Sequence, residues 1–257
     1  MKREKVSATV LTFNEESNIR ECLESVSWAD EIVVIDSGSS DKTIKIAKQY
    51  TDKVLVNPWP GFKGQKNFAV DNASHDWIFN IDADERVPDP LKNKILELLS
   101  NPEIDGYSFP RRNYFLGKWM RYGGWYPDYV LRLFNKNRGR FGGIDPHACV
   151  VLDSGKTKRI NEPITHITYK SLNQYLDKQN FYSTTAAQVK YESRKHRSVS
   201  VLTIVVKTIW KFFEVYFLKF GILDGSRGFI AACGSTALTF WKYAKIWEQG
   251  LKKNIND

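Results

Sequence analysis

The sequence has little cysteine and no cysteine motif. Its 257 residues contain three cysteines, Cys22, Cys149 and Cys233, which lie far apart without any Cys-x-x-Cys pair. A disulfide framework uses an even number of cysteines and a zinc cluster uses closely spaced ones, so neither is supported. We expect reduced thiols that are buried as small apolar side chains.

Glycine-based nucleotide motifs are also missing. No Gly-x-Gly-x-x-Gly follows the first apolar segment, and no Gly-x-x-x-x-Gly-Lys-Ser/Thr phosphate loop occurs in the chain. These absences argue against dinucleotide oxidoreductases and P-loop enzymes. The chain also has no internal repeat and no low-complexity segment, which is typical of an ordinary folded protein.

No segment has the pattern of a secretory signal or of a spanning helix. The N-terminus, MKREKVSATVLTF, lacks a long apolar segment with a cleavage site, which predicts a cytoplasmic protein. Residues 199–220 are strongly apolar, but Lys207, Lys211 and Glu214 interrupt them on one helical face. A spanning helix needs about 20 apolar residues with few charges.

We therefore predict that residues 196–257 form an amphipathic helical tail lying in a membrane interface. This places the protein at the inner face of the cytoplasmic membrane, with several aromatic side chains as anchors. The alternative is that these helices pack on the main domain or form a dimer interface. The sequence leaves the oligomeric state open.

Charge is unevenly distributed along the chain. The formal net charge is +9, with −4 in residues 1–100 and +13 in residues 101–257. The basic part is expected to face an anionic partner such as a nucleic acid, an anionic lipid or a phosphorylated substrate. A solvated basic surface is the plain alternative.

The first hundred residues alternate between two hydrophobic periods. Short β-branched apolar runs at 6–13, 31–36, 53–56 and 77–81 predict strands buried on both faces. Helical patterns lie between them, at 17–26, 41–50, 64–73 and after Pro88. This alternation predicts an α/β fold with a mostly parallel central sheet flanked by helices.

A different pattern follows residue 101. Strands are predicted at 107–115, 129–134 and 149–152, and a helix at 171–195. We expect one domain over residues 1–195, in two halves, 1–100 and 101–195, that differ in this pattern.

Polar side chains gather where the predicted parallel strands end. The first strand is followed by Thr12, Asn14 and Glu15, the second ends in Asp36, and the fourth ends in the motif FNIDADE. Ligands of open parallel sheets bind outside the carboxyl ends of the strands. Closely spaced carboxylates repel one another, and a divalent ion shared with substrate phosphates relieves that repulsion. Glu85 is expected to cap the helix that opens at Pro88.

Three segments carry a resemblance to a known family. VSATVLTFNEESNIRECLESV, EIVVIDSGSSDKT and WIFNIDADER resemble the nucleotide-binding half of family 2 glycosyltransferases, which have the GT-A fold. FPRRNYFLGKWMRYGGWYPDYVLRLFNK and HITYKSLNQYLDKQNFYS are similar to a bacterial subgroup, the lipopolysaccharide core β-1,4-glucosyltransferases. The resemblance spans about residues 5–250. The processive members' Gln-x-x-Arg-Trp motif is absent.

The resemblance implies an inverting, metal-dependent transfer from a UDP-sugar, with Mn²⁺ or Mg²⁺ as cofactor. Asp84 would coordinate the metal together with a downstream histidine, for which His147 is the first candidate and His166 the second. The remaining residues of the nucleotide-sugar site would be Thr12, Asn14, Glu15, Asp36, Lys66, Asp82 and Ala83.

Transfer to a hydroxyl also needs a base to remove its proton. Asp128 is the candidate, because it ends the segment GWYPD, in which Trp125 and Tyr126 offer flat apolar faces to a sugar. Arg132 follows on the next strand and would pair with Asp128 or contact the acceptor's phosphate.

The expected reaction moves one sugar, glucose, to a lipid-linked anionic saccharide such as the lipopolysaccharide core. One alternative is a polyprenyl-phosphate glycosyltransferase, which needs no base. A binding module for nucleic acid or lipid is the other alternative, and the intact acidic motif argues against it.

Overall fold

A computed structural model of the chain describes residues 3–143, 148–193 and 198–256. Backbone contacts divide the chain into two compact units. The first unit consists of Met1–Arg112 and Pro127–His166, and the second of Asn113–Tyr126 and Ile167–Asp257.

The described residues form twelve strands and seven α-helices. The strands are β1 Val6–Thr12, β2 Glu31–Asp36, β3 Val54–Val56, β4 Trp77–Asp82, β5 Glu85–Arg86, β6 Gly106–Phe115, β7 Lys118–Trp119, β8 Asp128–Asn135, β9 Gly139–Gly142, β10 Cys149–Leu152, β11 Lys158–Arg159 and β12 Ile164–Tyr169. The helices are α1 Ile19–Ser25, α2 Thr43–Ala47, α3 Phe62–Asp71, α4 Asp89–Ser100, α5 Leu172–Ser193, α6 Val201–Phe213 and α7 Ser226–Asn256.

The central sheet is mixed, with a parallel half and an antiparallel half. Its order is β3-β2-β1-β4-β8-β6-β12-β5, and β7 and β11 also pair with β6. β1 is parallel to both β2 and β4, and β2 is parallel to β3. β8 is antiparallel to β4 and to β6. The register pairs Thr12 with Asp36 and Leu11 with Asp82, so three predicted site strands end at one edge.

The core of the first unit lies on both faces of the parallel strands. One cluster joins alternate residues of β1 and β4, such as Val10 and Phe79, to apolar residues of α1 and α4. The other joins Ile35 and Ile78 to α3 and to the β9–β10 hairpin. This two-sided burial explains why the strands read as continuous apolar runs in the sequence.

The α/β fold, with a parallel first half of the sheet flanked by helices, is therefore confirmed, and β2 and β10 have the predicted bounds. The helix expected over 41–50 is shorter and covers Thr43–Ala47. Asp41 accepts the N–H of Thr43 at the helix start and that of Glu16 from the loop after β1, while Gln49 and Tyr50 bond carbonyls only three residues back, in a turn.

In the second unit, the continuous helix that 199–220 suggests is interrupted. α6 covers Val201–Phe213 and passes into a wider π-helical turn at Glu214–Leu218. The 31-residue α7 then packs against α5 and α6. The domain boundary predicted at residue 195 stays a prediction, while backbone contacts group α5 with the C-terminal helices. Among the described residues, no helix is both long and apolar enough for a membrane crossing.

A substitution of Phe79 tests the packing of the core of the first unit. It is fully buried and its ring contacts Trp28 and Phe109, with centroids 6.0 and 6.2 Å away. Phe79→Ala is expected to lower the free energy of unfolding by about 3–5 kcal/mol, because a cavity replaces the ring. Phe13→Ala is the control, since Phe13 is 57% exposed. Thermal and urea unfolding measure both variants, and equal midpoints for the two would contradict this packing.

Candidate active site

The loops that follow β1 and β2 are tied to each other by side-chain hydrogen bonds. Asp36 is fully buried and accepts the backbone N–H of Gly38 at 2.8 Å and of Ser39 at 2.7 Å. Asn14 has a φ of +53°, its N–H donates to Ser39 Oγ at 2.8 Å, and its Oδ1 accepts from the Ser40 N–H at 2.9 Å. These hydrogen bonds hold the backbone of Asn14 in the left-handed region and fix the conformation of the loop.

Two further residues predicted for the nucleotide lie at the same edge. Glu15 accepts from Asn18 Nδ2 at 2.6 Å, and its N–H donates to Thr43 Oγ1 at 2.8 Å. Thr12 is 5% exposed, and within the described parts of the chain its buried Oγ1 has no hydrogen-bond partner. Because buried polar atoms are nearly always paired, this hydroxyl is a candidate contact for a ligand.

The FNIDADE motif forms a tight acidic turn between β4 and β5. Asp82 ends β4, Ala83 is 3% exposed, and Glu85 begins β5. Glu85 does not cap α4, so that expectation was wrong: it is fully buried and its Oε2 accepts the backbone N–H of Asp82 at 3.0 Å. The turn closes on itself because Glu85 points back beneath Asp82.

Arg132 holds this turn together from below. Its guanidinium donates from Nη2 to Asp82 Oδ2 at 2.5 Å and to Glu85 Oε1 at 2.6 Å, and from Nη1 to Asn80 Oδ1 at 3.0 Å. Arg132 is only 4% exposed. The carboxylate repulsion in the motif is therefore relieved in large part by a cation of the chain itself.

Lys66 of α3 adds a second cation. Its Nζ lies 3.6 Å from Asp82 Oδ1 and 5.3 Å from the Phe141 ring centre. Burial lowers the pKa of Lys66, Asp82 raises it, and the neighbouring Arg132 lowers it again. Burial alone would raise the pKa of Asp82, but Arg132 and Lys66 bring it well below the usual range, so Asp82 stays ionised.

Asp84 points to a different neighbour. β12 pairs with β5 so that His166 stands opposite Glu85, and His166 Nε2 lies 3.5 Å from Asp84 Oδ1. His147, the first choice for a metal ligand, lies outside the described residues. His166 was the second choice, and it is the histidine that the structure places beside Asp84.

The donor set at Asp84 fits a hard divalent cation only if a substrate completes it. Among the described residues, no group of three His, Cys, Asp or Glu side chains is arranged for a metal ion. One carboxylate and one imidazole suit Mn²⁺ or Mg²⁺ when substrate phosphates supply further ligands. Asp84 and His166 are thus the residues that would hold such an ion.

Asp128, the predicted base, is paired with an arginine that the sequence did not single out. Arg111 faces it across the β6–β8 ladder and donates to Asp128 Oδ2 from Nε at 2.9 Å and from Nη2 at 2.5 Å. The suggested pair between Arg132 and Asp128 is not the one formed. Only the antiparallel register reveals the partner, because Arg111 and Asp128 are 17 residues apart.

The other predicted acceptor contacts, Trp125 and Tyr126, belong to the second unit. Trp125 packs there on Phe115 and Tyr169, and Tyr126 makes an edge contact with Trp119. Their role toward a sugar stays a prediction. Arg132 is buried under the acidic turn, where its hydrogen bond holds the Asp82 carboxylate in position.

Removing the buried cation provides a test of this arrangement. Arg132→Met is expected to destabilise the protein by about 3–5 kcal/mol near neutral pH, because two carboxylates lose their partner. Without Arg132 the pKa of Asp82 rises, so the loss should shrink as the pH falls from 7 toward 4.5. Unfolding free energies measured across this pH range check the prediction.

Arg140→Met is the matched control, because Arg140 and Asp71 form an ion pair on the surface, with side chains 55% and 53% exposed. Its effect should stay within about 0.5 kcal/mol at every pH. A similar loss in both variants, or a loss in Arg132→Met that does not depend on pH, would contradict the central role of Arg132.

Comparison with known proteins shows the family of the chain. The sequence model of "Glycosyl transferase family 2" matches residues 7–152. The lipopolysaccharide core biosynthesis glycosyltransferase LpsC of Rhizobium meliloti is 32% identical, over 98% of this chain and 96% of its own. An uncharacterized glycosyltransferase of Rickettsia felis is also 32% identical, over 98% of this chain and 93% of its own.

Among solved structures, the mannosyltransferase PcManGT of Pyrobaculum calidifontis, in complex with GDP-Man and Mn²⁺, has the same fold. Its TM-score is 0.51 at 15% identity, over 99% of this chain and 88% of that one. The family match covers more than half of the chain, and two relatives match it almost from end to end. This protein belongs to glycosyltransferase family 2.

Proposed function

We propose that the protein is an inverting, metal-dependent transferase that moves glucose from a UDP-sugar to a lipid-linked saccharide of the lipopolysaccharide core. The observation that carries the proposal is the edge where β1, β2 and β4 end, with the unpaired Thr12 hydroxyl, the buried Asp36 and the turn from Asp82 to Glu85. The near full-length likeness to LpsC supports the core saccharide as acceptor.

The site's own residues have separable tasks in this proposal. Thr12, Asn14, Glu15 and Asp36 shape the nucleoside side, while Lys66 places a positive charge beside Asp82. Asp84 and His166 would hold the divalent ion, which supplies positive charge to the departing diphosphate. The mannosyltransferase PcManGT was solved in complex with Mn²⁺, which supports the use of a divalent ion in this proposal.

Asp128 is proposed to accept the proton of the acceptor hydroxyl at Oδ1. Both hydrogen bonds from Arg111 go to Oδ2, and the Asp128 side chain is 36% exposed. Arg111 therefore orients the carboxylate and leaves one oxygen open. The same arginine lies 3.7 Å from Glu85, which links the orientation of Asp128 to the acidic turn.

We further propose that the protein works at the inner face of the cytoplasmic membrane, where a lipid-linked acceptor is found. Many large apolar side chains of the C-terminal helices are exposed, Leu202 and Ile209 at 72% and 66% among them. Contiguous apolar surface of this kind marks a membrane or protein contact. Lysines beside it favour an anionic membrane.

A panel of UDP-sugars tests the transfer and the metal site together. UDP release should depend on Mn²⁺ or Mg²⁺, stop with EDTA, and be fastest with UDP-glucose. Asp84→Ala and His166→Ala should weaken UDP binding in Mn²⁺ at least about 10-fold, since even outer-shell changes weaken metal sites 10- to 100-fold.

Isothermal titration with UDP and Mn²⁺ provides the readout that does not depend on turnover. His75→Ala is the matched control and should bind as the wild type does. If His147→Ala weakens binding and His166→Ala does not, the metal assignment moves to His147. If no UDP-sugar is hydrolysed or transferred and Asp84→Ala binds UDP with Mn²⁺ normally, the proposed function is wrong.

The role of Asp128 is tested with Asp128→Asn. We expect transfer to fall by about 10²- to 10⁴-fold, as is typical when a general base is removed, with UDP binding unchanged. Asp71→Asn changes another arginine-paired aspartate and should leave the rate unaltered. Near-normal transfer by Asp128→Asn would instead favour a phosphate acceptor, as in a polyprenyl-phosphate glycosyltransferase.

A further inference from the structure

Three helices of the second unit meet around one small apolar centre. α7 packs against both α5 and α6. The centre contains buried residues from all three helices and from the segment before α6, with Tyr243 packed on them; the buried members are Ala187, Tyr191, Val199, Ile204 and Ile246. The residues next to these positions therefore project around the rim of the same junction.

Four lysines occupy that rim, and we call them the junction lysines: Lys190, Lys207, Lys211 and Lys242. Lys190 precedes Tyr191 on α5, and Lys242 precedes Tyr243 on α7. Lys207 lies about one turn after Ile204 on α6, and Lys211 one turn further. Lys242 Nζ lies 4.9 Å from the centre of the Tyr243 ring, which packs on the junction. Burial lowers the pKa of Lys242, and the positive charges of the other three junction lysines lower it further.

These charges are poorly balanced by the protein. Within the described parts of the chain, no carboxylate forms an ion pair with Lys190, Lys207 or Lys242, whereas Glu214 is shared by Lys211 and Lys219. Lys245, on the same helix as Lys242, instead bonds Asn180, Ser183 and Thr184. Like charges gathered without a counterion are unfavourable, and a bound anion relieves them.

The junction lysines lie next to an exposed apolar surface. On α6, the face turned away from the buried Ile204 carries Leu202, Ile209 and Phe213, which are 72%, 66% and 44% exposed. By the helical period, Lys207 lies on the flank between that face and Ile204, and Lys211 lies on the Ile204 side of the helix. A cationic rim beside an apolar face matches the depth of a bilayer where phosphates meet acyl chains.

We propose that the junction lysines form a phosphate-binding site that takes the phosphate of an anionic membrane lipid. The site uses residues of the second unit only, and it rests on the membrane association proposed above. A nucleic acid would use the charge but not the adjoining apolar face, so the lipid accounts for both features. Lipid phosphate and free inorganic phosphate share this chemistry, and the experiment separates them.

The test uses the full chain and the double variant Lys207→Gln/Lys242→Gln, which removes two charges and keeps the side-chain length. Co-sedimentation measures binding to phosphatidylcholine vesicles with and without phosphatidylglycerol. Each lysine near an anionic surface contributes roughly a fivefold factor, so the double variant should bind the anionic vesicles about 30-fold more weakly. The matched control, Lys45→Gln/Lys48→Gln, removes two exposed lysines, one in α2 and one directly after it, and should bind as the wild type does.

Thermal unfolding supplies a second measurement and a check of folding. The double variant should unfold at or above the wild-type temperature, because it relieves repulsion among the lysines. Inorganic phosphate, compared with chloride at equal ionic strength, should raise the midpoint of the wild type more than that of the variant. If phosphate gives this difference but anionic vesicles do not distinguish the proteins, the ligand is a soluble phosphate and the lipid assignment is overturned.

The remaining outcomes separate this inference from the proposed function. If wild type and double variant bind anionic vesicles equally and inorganic phosphate stabilises them equally, the phosphate site is overturned while membrane association stands. If the control loses as much binding as the double variant, overall charge is responsible and the site is overturned. If wild type binds no vesicle, both fail, whereas the release of UDP from UDP-sugars still decides the transferase activity by itself.

Discussion

The arrangement of the acidic edge depends on one buried guanidinium. Arg132 satisfies Asp82, Glu85 and Asn80 together, from a position almost closed to solvent. A buried charge is tolerated only with well-placed partners, so the three acceptors and the arginine define each other's positions. In the turn that follows β4, this cation keeps Asp82 ionised and holds Asp82 and Glu85 close together. The nucleotide edge is thus built on an internal ion network.

The network also gives chemically similar side chains different partners. Asp82 faces Arg132 and Lys66, so much of its charge is used inside the protein. Asp84 lies two residues later and meets His166 instead, which leaves a carboxylate and an imidazole together for a cation. Arg111 then connects Glu85 to Asp128. Two arginines on adjacent antiparallel strands thereby couple the predicted metal side to the predicted base.

Much of the nucleotide-binding half could be predicted because its signals are local. Buried parallel strands read as short apolar runs, and the bounds of β2 follow directly from EIVVID. The residues after those strands share an edge by the rule for parallel sheets. Partners across the antiparallel half were missed, since Arg111 and Asp128 meet only through strand register. Glu85 was misassigned because its burial depends on Arg132, 47 residues away.

The sequence by itself determined the family, the fold of the first half and the set of polar residues at the strand ends, because these depend on periodicity and on residue type. It also showed that the C-terminal helices are apolar and basic. Only the tertiary structure decided which cation neutralises Asp82, which histidine stands beside Asp84, and that α5, α6 and α7 share one buried apolar junction. Such choices depend on distances between residues far apart in the chain, and those distances exist only once the sheet register and the helix packing are set.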